Sequence, residues 1–307
     1  RGGPRVFSAP DLMALRLPLL RWTVRELLPQ GYCVFAGPPK LGKTWIGYGL
    51  AVAVASGAEL WGQATDCGDV LFLSLEDSER RVQDRLRRVL GSRPAPPRLH
   101  VATAWPRLDE GGLEAIEDWA GKLGGAARLV ILDTLQRVRP PSARGANAYE
   151  ADYDLHAKLH ALARRTGVAL VAVTHMRKGS GAGDWLEGVT GSTGITGAAD
   201  TVWALRRERG GDGATLHVTG RDAADQELAL TFENGLWRCL GDARHVRLTE
   251  TRRAIMDALA GAQGPLSPRQ VADASGANYP LTKQTLLRMA NDGLVENRGG
   301  RYARRAA

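Results

Sequence analysis

The sequence predicts an α/β protein with a mainly parallel sheet, followed by a small, basic, helical segment. Three observations carry this. Short β-rich runs alternate with helical patterns over residues 31–240; helices drop out of the pattern from Ala199; and the periodicity resets around Gly241–Val246. The 307 residues leave room for one large and one small domain, expected at 1–243 (with a lead-in segment over 1–30) and 244–307.

The first four runs are Tyr32–Ala36, Val70–Leu75, Leu129–Leu132 and Val168–Thr174. Between them lie helical patterns at Lys43–Ser56, Ser78–Leu90, Leu113–Leu123 and Ala151–Thr166. Then Thr201–Arg206, Ala214–Gly220, Leu228–Glu233 and Gly235–Cys239 follow one another across Gly/Asp turns, too close for helices between them. The lead-in, with Trp22 and Leu27-Leu28, is expected to pack beside the first strand. After the reset come helical patterns at Thr249–Ala260, Ser267–Ser275 and Leu281–Asn291, and "ENRGGRYAR" reads as two short strands about Gly299-Gly300.

With 44% hydrophobic and 24% charged residues the chain can bury a sizeable core, and no apolar run approaches a membrane span. Its three cysteines, Cys33, Cys67 and Cys239, are scattered without metal-ligand spacing. That usage suits a reducing, cytoplasmic setting. The chain opens on Arg1 rather than Met, which leaves upstream sequence and a removed signal open. Of the net charge of +8, residues 244–307 carry +6, from eleven Lys or Arg against five Asp or Glu. Such a segment points to nucleic acid or an acidic surface, the alternative being a solvated basic face.

The chemistry-bearing motif is Gly37-Pro38-Pro39-Lys40-Leu41-Gly42-Lys43-Thr44, followed by Trp45. It follows a predicted strand and opens a predicted helix, the context a phosphate-binding loop requires. Its glycines let backbone N–H groups and the helix N-terminus face a β-phosphate. Lys43 would reach the β- and γ-phosphates of ATP, and Thr44 would offer its hydroxyl to Mg²⁺. Pro38 and Pro39 remove two N–H donors, so binding falls to the amides further on.

Hydrolysis needs a carboxylate at the Mg²⁺, and "LVILDT" supplies Asp133 at the end of an apolar strand. It also needs a group that orients water. "LFLSLED" ends in Glu76 and Asp77; Glu76 is favoured, with Asp77 free to cap the helix near Ser78. "GVALVAVTH" ends in His175, which could bond the γ-phosphate and shift when it leaves, although a lone His is more often structural.

Together these parts resemble the RecA-like ATPase core. More narrowly, "RWTVRELLPQGYCVFAGPPKLGKTW" and "GSTGITGAADTVWALRR" resemble the RepA-type hexameric replicative helicases and related ATPases of plasmids, phages and integrated elements. The similarity covers roughly residues 20–240. It implies a homo-oligomeric ring, a hexamer, or a filament with ATP between subunits, and loops after Asp133 and His175 that touch single-stranded DNA. The residues allow this: Arg177, Lys178 and Trp185 lie in one loop, Arg137, Arg139 and Arg144 in the other, the alternative being solvated connections. It also implies an arginine acting on the neighbouring subunit's nucleotide. Arg221, after a strand, ranks ahead of Arg206 and Arg207; Thr219 stands where some helicases have a second basic residue.

The C-terminal segment reads as a winged helix-turn-helix. Leu281, Leu286, Leu287 and Ala290 are expected inside the recognition helix, with Lys283, Gln284 and Arg288 outside and Arg298, Arg301 and Arg304 on the wing. It would contact double-stranded DNA or dock a protein. The chain thus reads as an ATP-dependent DNA translocase or helicase of a replicating mobile element. The alternatives are an ATP-switched DNA-binding recombination mediator or initiation regulator, and a RecA-like ATPase whose winged helix binds a protein.

Overall fold

The computed structural model describes residues 6–141, 148–175, 197–207 and 213–304. Contacts divide the chain into two compact units, residues 1–204 with 218–224, and residues 205–217 with 225–307.

In the first unit the expected alternation is present. The strands are β3 (Gly31–Gly37), β4 (Asp69–Ser74), β5 (Leu99–Ala102), β6 (Ala127–Asp133), β7 (Ala169–His175) and the start of β8 (Thr201–Arg207). The intervening helices are α2 (Lys43–Ser56), α3 (Glu79–Leu90), α4 (Leu113–Lys122) and α5 (Ala148–Thr166). The strands lie in the order β8–β3–β7–β6–β4–β5 and all neighbours are parallel. A parallel sheet covered by helices needs apolar side chains on both faces, and β3, β4, β6 and β7 are buried along nearly their whole length. β5 was not expected: four residues after a Pro-rich stretch carry no period of their own, and pairing to β4 makes the strand.

The lead-in splits in two. Residues 6–20, including α1 (Ala9–Ala14), are exposed, contrary to the expected packing. From Trp22 the expectation holds: β1 (Trp22–Val24) pairs with β2 (Leu28–Pro29), and Val24, Leu27 and Leu28 are buried. Trp203 of β8 donates its indole N–H to the Leu27 carbonyl at 3.0 Å and meets Phe35 edge-on, so its one polar atom is satisfied.

At the amino ends of the strands, Asp200 adds its side chain to the backbone bond that its own N–H makes to the Tyr32 carbonyl at 2.9 Å. Its Oδ2 accepts the Tyr32 N–H at 2.9 Å, and its Oδ1 lies 3.1 Å from His160 Nε2 and 3.4 Å from an Arg221 guanidinium nitrogen. Gly31 is required beside it: its φ is +120°, and a Cβ there would fall 2.6 Å from Asp200 Oδ2.

In the second unit, β10 (Gln226–Glu233) and β11 (Leu236–Asp242) form an antiparallel hairpin; β9 (Ala214–Gly220) passes from this unit into the first. Asp242 ends β11 and caps α6 (Ala243–Ala260), accepting the N–H groups of Arg244 and His245, and Arg247 pairs with Glu227 of β10 at 2.7 Å. The helix therefore starts six residues before the expected Thr249, and the compact unit takes in β10 and β11 as well as residues 244–307. α7 (Pro268–Ser275) carries the Ser267/Gln270 capping box and ends at Gly276 in the left-handed region. α8 (Tyr279–Asn291) precedes the hairpin of β12 (Val295–Arg298) and β13 (Arg301–Arg304). Ile255, Leu259, Val271, Leu286, Met289, Val295 and Tyr302 form the core of this helical part. One expectation is corrected. α8 turns Thr282, Thr285, Leu286 and Met289 inward, while Leu281 and Leu287 are exposed. Apolar residues lie on both sides of this helix, and the face that fits the core includes two threonines. Among the described residues no helix is long and apolar enough to cross a membrane.

A buried polar pair lies beneath β3: the Tyr32 hydroxyl and His156 Nδ1 share a hydrogen bond at 2.5 Å. Burial holds the His156 pKa down to about 4, so the ring is neutral at pH 7. The folded-state pKa lies below the unfolded value, so unfolded chains take up the proton first. Stability should therefore fall as pH drops from about 6.5 towards 4, by up to about 1.4 kcal/mol per pH unit from this group. Urea unfolding at pH 7.5, 6 and 5 should show a shallower loss in His156→Gln than in the parent; equal slopes would remove His156 as the cause.

Candidate active site

The register of the parallel strands assembles the site. β3 pairs with β7 so that Gly37 lies opposite His175, and β4 with β6 so that Ser74 lies opposite Asp133. Four carboxyl-terminal strand ends thus meet at one edge, where ligands of open α/β sheets are held. β4 is separated from β3 by β7 and β6, so Glu76 reaches the loop from two strands away.

The loop leaves β3 at Gly37, turns through Lys40 (φ +62°) and Gly42 (φ +94°), and enters α2 at Lys43. Gly42 has no side chain to cap the helix, which leaves the first N–H groups of α2 to an anion. Leu41 is buried while Pro38, Pro39 and Lys40 are exposed. Lys43 Nζ donates to the carbonyls of Gly37 and Pro38 at 2.7 and 2.8 Å and lies 3.3 Å from His175 Nδ1. Burial lowers the Lys43 pKa to about 8, against the opposing pull of Asp133 and Glu76. Burial, and then the Lys43 charge, also lowers that of His175. A neutral imidazole accepting from Lys43 at Nδ1 carries its proton on Nε2.

Asp133 is 4% exposed, and burial pushes its pKa up to about 6; the Thr44 hydroxyl bond and the Lys43 charge oppose this, and Glu76 and Asp77 add to it. A buried carboxylate, crowded by two others and joined to a hydroxyl, is an all-oxygen set short of positive charge. That fits a hard divalent cation such as Mg²⁺ completed by phosphate oxygens and water. Among the described residues no group of three or more His, Cys, Asp or Glu could hold a metal ion by itself.

The two acids after β4 have different surroundings. Asp77 is buried, bonded to Arg85 at 2.5 Å and Arg81 at 3.3 Å, with Ser74 Oγ at 3.5 Å. It does not cap α3: Ser78 is the N-cap residue. Arg85 also lies over the Trp45 ring, 5.4 Å from its centre, tying α3 to the start of α2. Glu76 is exposed, with Oε1 accepting the Thr134 hydroxyl at 3.0 Å.

Lys43, Thr44, Asp133, Glu76 and His175 therefore come together. Arg221 stands at the other edge of the sheet, where its guanidinium also donates to the Gly197 carbonyl at 3.2 Å. Arg206 and Arg207 close β8 within the second unit, and Lys283, Arg288, Arg298 and Arg301 are exposed there. Arg137 is exposed and Arg139 pairs with Asp152 of α5. Arg144, Arg177, Lys178 and Trp185 lie outside the described residues. Sequence reasoning missed Thr134 and Arg85. The only signal for either was its neighbourhood, one residue past Asp133 and eight past Asp77.

A family model described as AAA domain matches residues 4–181, more than half of the 307. The chain belongs to the AAA domain family. Among solved structures it is similar to one titled "The Structure Of A DnaB-Like Replicative Helicase And Its Interactions With Primase", with a TM-score of 0.55 and 15% identity. That match covers 68% of this chain and 57% of the other, and at that identity it shows the fold: a RecA-like P-loop core. No curated protein matches by sequence.

The two adjacent acids should separate experimentally. Asp77→Ala leaves Arg85 facing a vacated buried position and should lower stability to urea by about 1–3 kcal/mol without nucleotide. Glu76→Ala, at an exposed side chain hydrogen-bonded to the Thr134 hydroxyl, should cost less, about 1 kcal/mol at most. Equal losses would contradict the division of labour.

Proposed function

We propose that the chain is an ATP-dependent DNA translocase or helicase of the RepA-like type, acting in replication of a plasmid, phage or other mobile element. The observation that carries this is the convergence of Lys43, Thr44, Asp133, Glu76 and His175 at one sheet edge. The AAA family membership and the fold of a protein titled a replicative helicase support it.

In this reading, N–H groups at the start of α2 and the Lys43 ammonium hold the phosphates, and Lys43 exchanges its bonds to Gly37 and Pro38 for phosphate oxygens. Thr44 and Asp133 would hold Mg²⁺, which when bound neutralises charge on the β- and γ-phosphates. Glu76 orients the attacking water. His175 Nε2–H donates towards the γ-phosphate and loses that partner after hydrolysis. Arg177 and Lys178 would hold single-stranded DNA. A ring or filament places Arg221, or Arg206 and Arg207, against a neighbour's nucleotide.

A second reading is an ATP-switched DNA-binding regulator. It is favoured by the exposed Lys283, Gln284 and Arg288 of α8 and by Arg298, Arg301 and Arg304 on the hairpin, an arrangement we read as a winged helix.

Lys43→Ala should abolish binding of a fluorescent ATP analogue, whereas Glu76→Gln should keep binding and lose at least about 100-fold in turnover. Single-stranded DNA should stimulate the parent ATPase, and Arg177→Ala with Lys178→Ala should remove that stimulation. Lys283→Ala with Arg288→Ala should instead weaken duplex binding and flatten its salt dependence by about one to two units of slope. Strand displacement on a forked duplex decides between the readings: ATPase without displacement leaves the regulator.

A further inference from the structure

Thr134 sits immediately after Asp133 and is 2% exposed. It is the residue that ties the end of β6 to the acid beyond β4, since its hydroxyl donates to Glu76 Oε1 at 3.0 Å. The strands make this meeting possible. Ser74 lies opposite Asp133 in the β4–β6 register, and the Leu75 N–H donates to the Asp133 carbonyl at 2.8 Å. Backbone pairing thus runs one residue past the end of β4, and the Thr134–Glu76 bond continues it through side chains.

The remainder of Glu76 is unrestrained. Its side chain is exposed, and among the described residues its Oε2 has no hydrogen-bond partner. Asp77, next to it, is held by Arg81 and Arg85 and fixes the backbone but not the Glu76 carboxylate. An exposed glutamate has three freely turning side-chain bonds, and a water-orienting group needs its oxygen held to within a fraction of an ångström. One oxygen bound by a buried hydroxyl and the other left open meets that need.

We propose that Thr134 is the positioning residue for Glu76, fixing the carboxylate so that its second oxygen faces the attacking water. This rests on the reading of Glu76 given above and adds that the peptide bearing Asp133 also aims the water-orienting group. The Thr134 hydroxyl touches neither phosphate nor water in this role; it acts through Glu76.

Steady-state ATPase and fluorescent-nucleotide binding test it on the full chain. Thr134→Val keeps the shape of the side chain and removes the donor; kcat should fall about tenfold, the worth of one hydrogen bond to a charged group, with nucleotide affinity and KM within about twofold of the parent. Thr134→Ser should restore kcat to within about threefold of the parent. In single-turnover reactions, Thr134→Val should add nothing to the defect of Glu76→Gln, because the group it positions is already gone. Full turnover in Thr134→Val, or Thr134→Val and Glu76→Gln defects that multiply, would overturn the inference. So would a loss of affinity that Thr134→Ser does not restore. If Glu76→Gln itself turns over at the parent rate, the reading of the site fails and takes this inference with it; a dead Glu76→Gln beside a fully active Thr134→Val defeats the positioning role alone.

Discussion

An ammonium and a carboxylate are both buried at one end of an otherwise apolar sheet: Lys43 is 5% exposed and Asp133 4%. Neither charge is tolerable there alone, since removing either ion from water costs several kcal/mol. Their pKa values move in opposite directions for the same reason, Lys43 down to about 8 and Asp133 up to about 6, each restrained by the other's charge. The rest of the site answers to this pair. Gly37 and Pro38 turn their carbonyls to Lys43, His175 stays neutral to accept from it, and the Thr44 hydroxyl bonds Asp133. The loop is therefore closed on its own lysine and is poised to exchange those bonds for phosphate oxygens, which carry more charge than carbonyls.

What could be read from the sequence was whatever depends on local chemistry. α2 runs over Lys43–Ser56 as expected because Gly42 and Gly57 bound it, both in the left-handed region. The apolar runs in β3, β4, β6 and β7 mark strands that a parallel sheet buries on both faces, and β4, β6 and β7 end on Ser74, Asp133 and His175 while β3 ends on the first glycine of the loop. Asp133, Glu76 and His175 were legible as polar residues at or just past such ends. Strand order was not. Nothing in "LFLSLED" says that two strands separate it from the phosphate loop, and the Thr134–Glu76 bond exists only because β4 and β6 are neighbours. β5 was illegible for the related reason that its partner, not its composition, makes it a strand. In α8 the leucines were a poor guide because Thr282 and Thr285 take inward positions that leave Leu281 and Leu287 outside.

Arg221 shows where reasoning from strand ends stops working. In a parallel sheet every strand ends at the same edge, so a polar residue after an apolar run is a fair candidate for the site. β9 runs the other way: the Arg221 N–H donates to the carbonyl of Asp200, the residue before β8 begins, and a Cβ on Gly220 would fall 2.7 Å from that carbonyl. The end of β9 is thus at the amino edge, the length of β3 away from the loop. That is roughly 20 Å for seven residues at about 3.3 Å each. A nucleotide bound by one chain lies beyond the reach of that chain's own Arg221.

If Arg221 acts on a phosphoryl group, as the proposed function has it, the route is a second copy presenting the amino edge of its sheet to the first copy's carboxyl edge. Head-to-tail contact of this kind is heterologous, and it closes into a ring or continues as a filament according to the rotation between copies. The Arg221 side chain is 59% exposed and its bond to Asp200 is long, at 3.4 Å, so turning outward gives up little. Asp200 would keep the Tyr32 N–H and His160, and the start of β3 would stay fixed while the arginine moved. Two edges of one sheet would then have separate duties, the carboxyl edge holding a nucleotide and the amino edge completing a neighbour's. On that reading, the Asp200 cluster would let a single chain fold with the second duty unfilled.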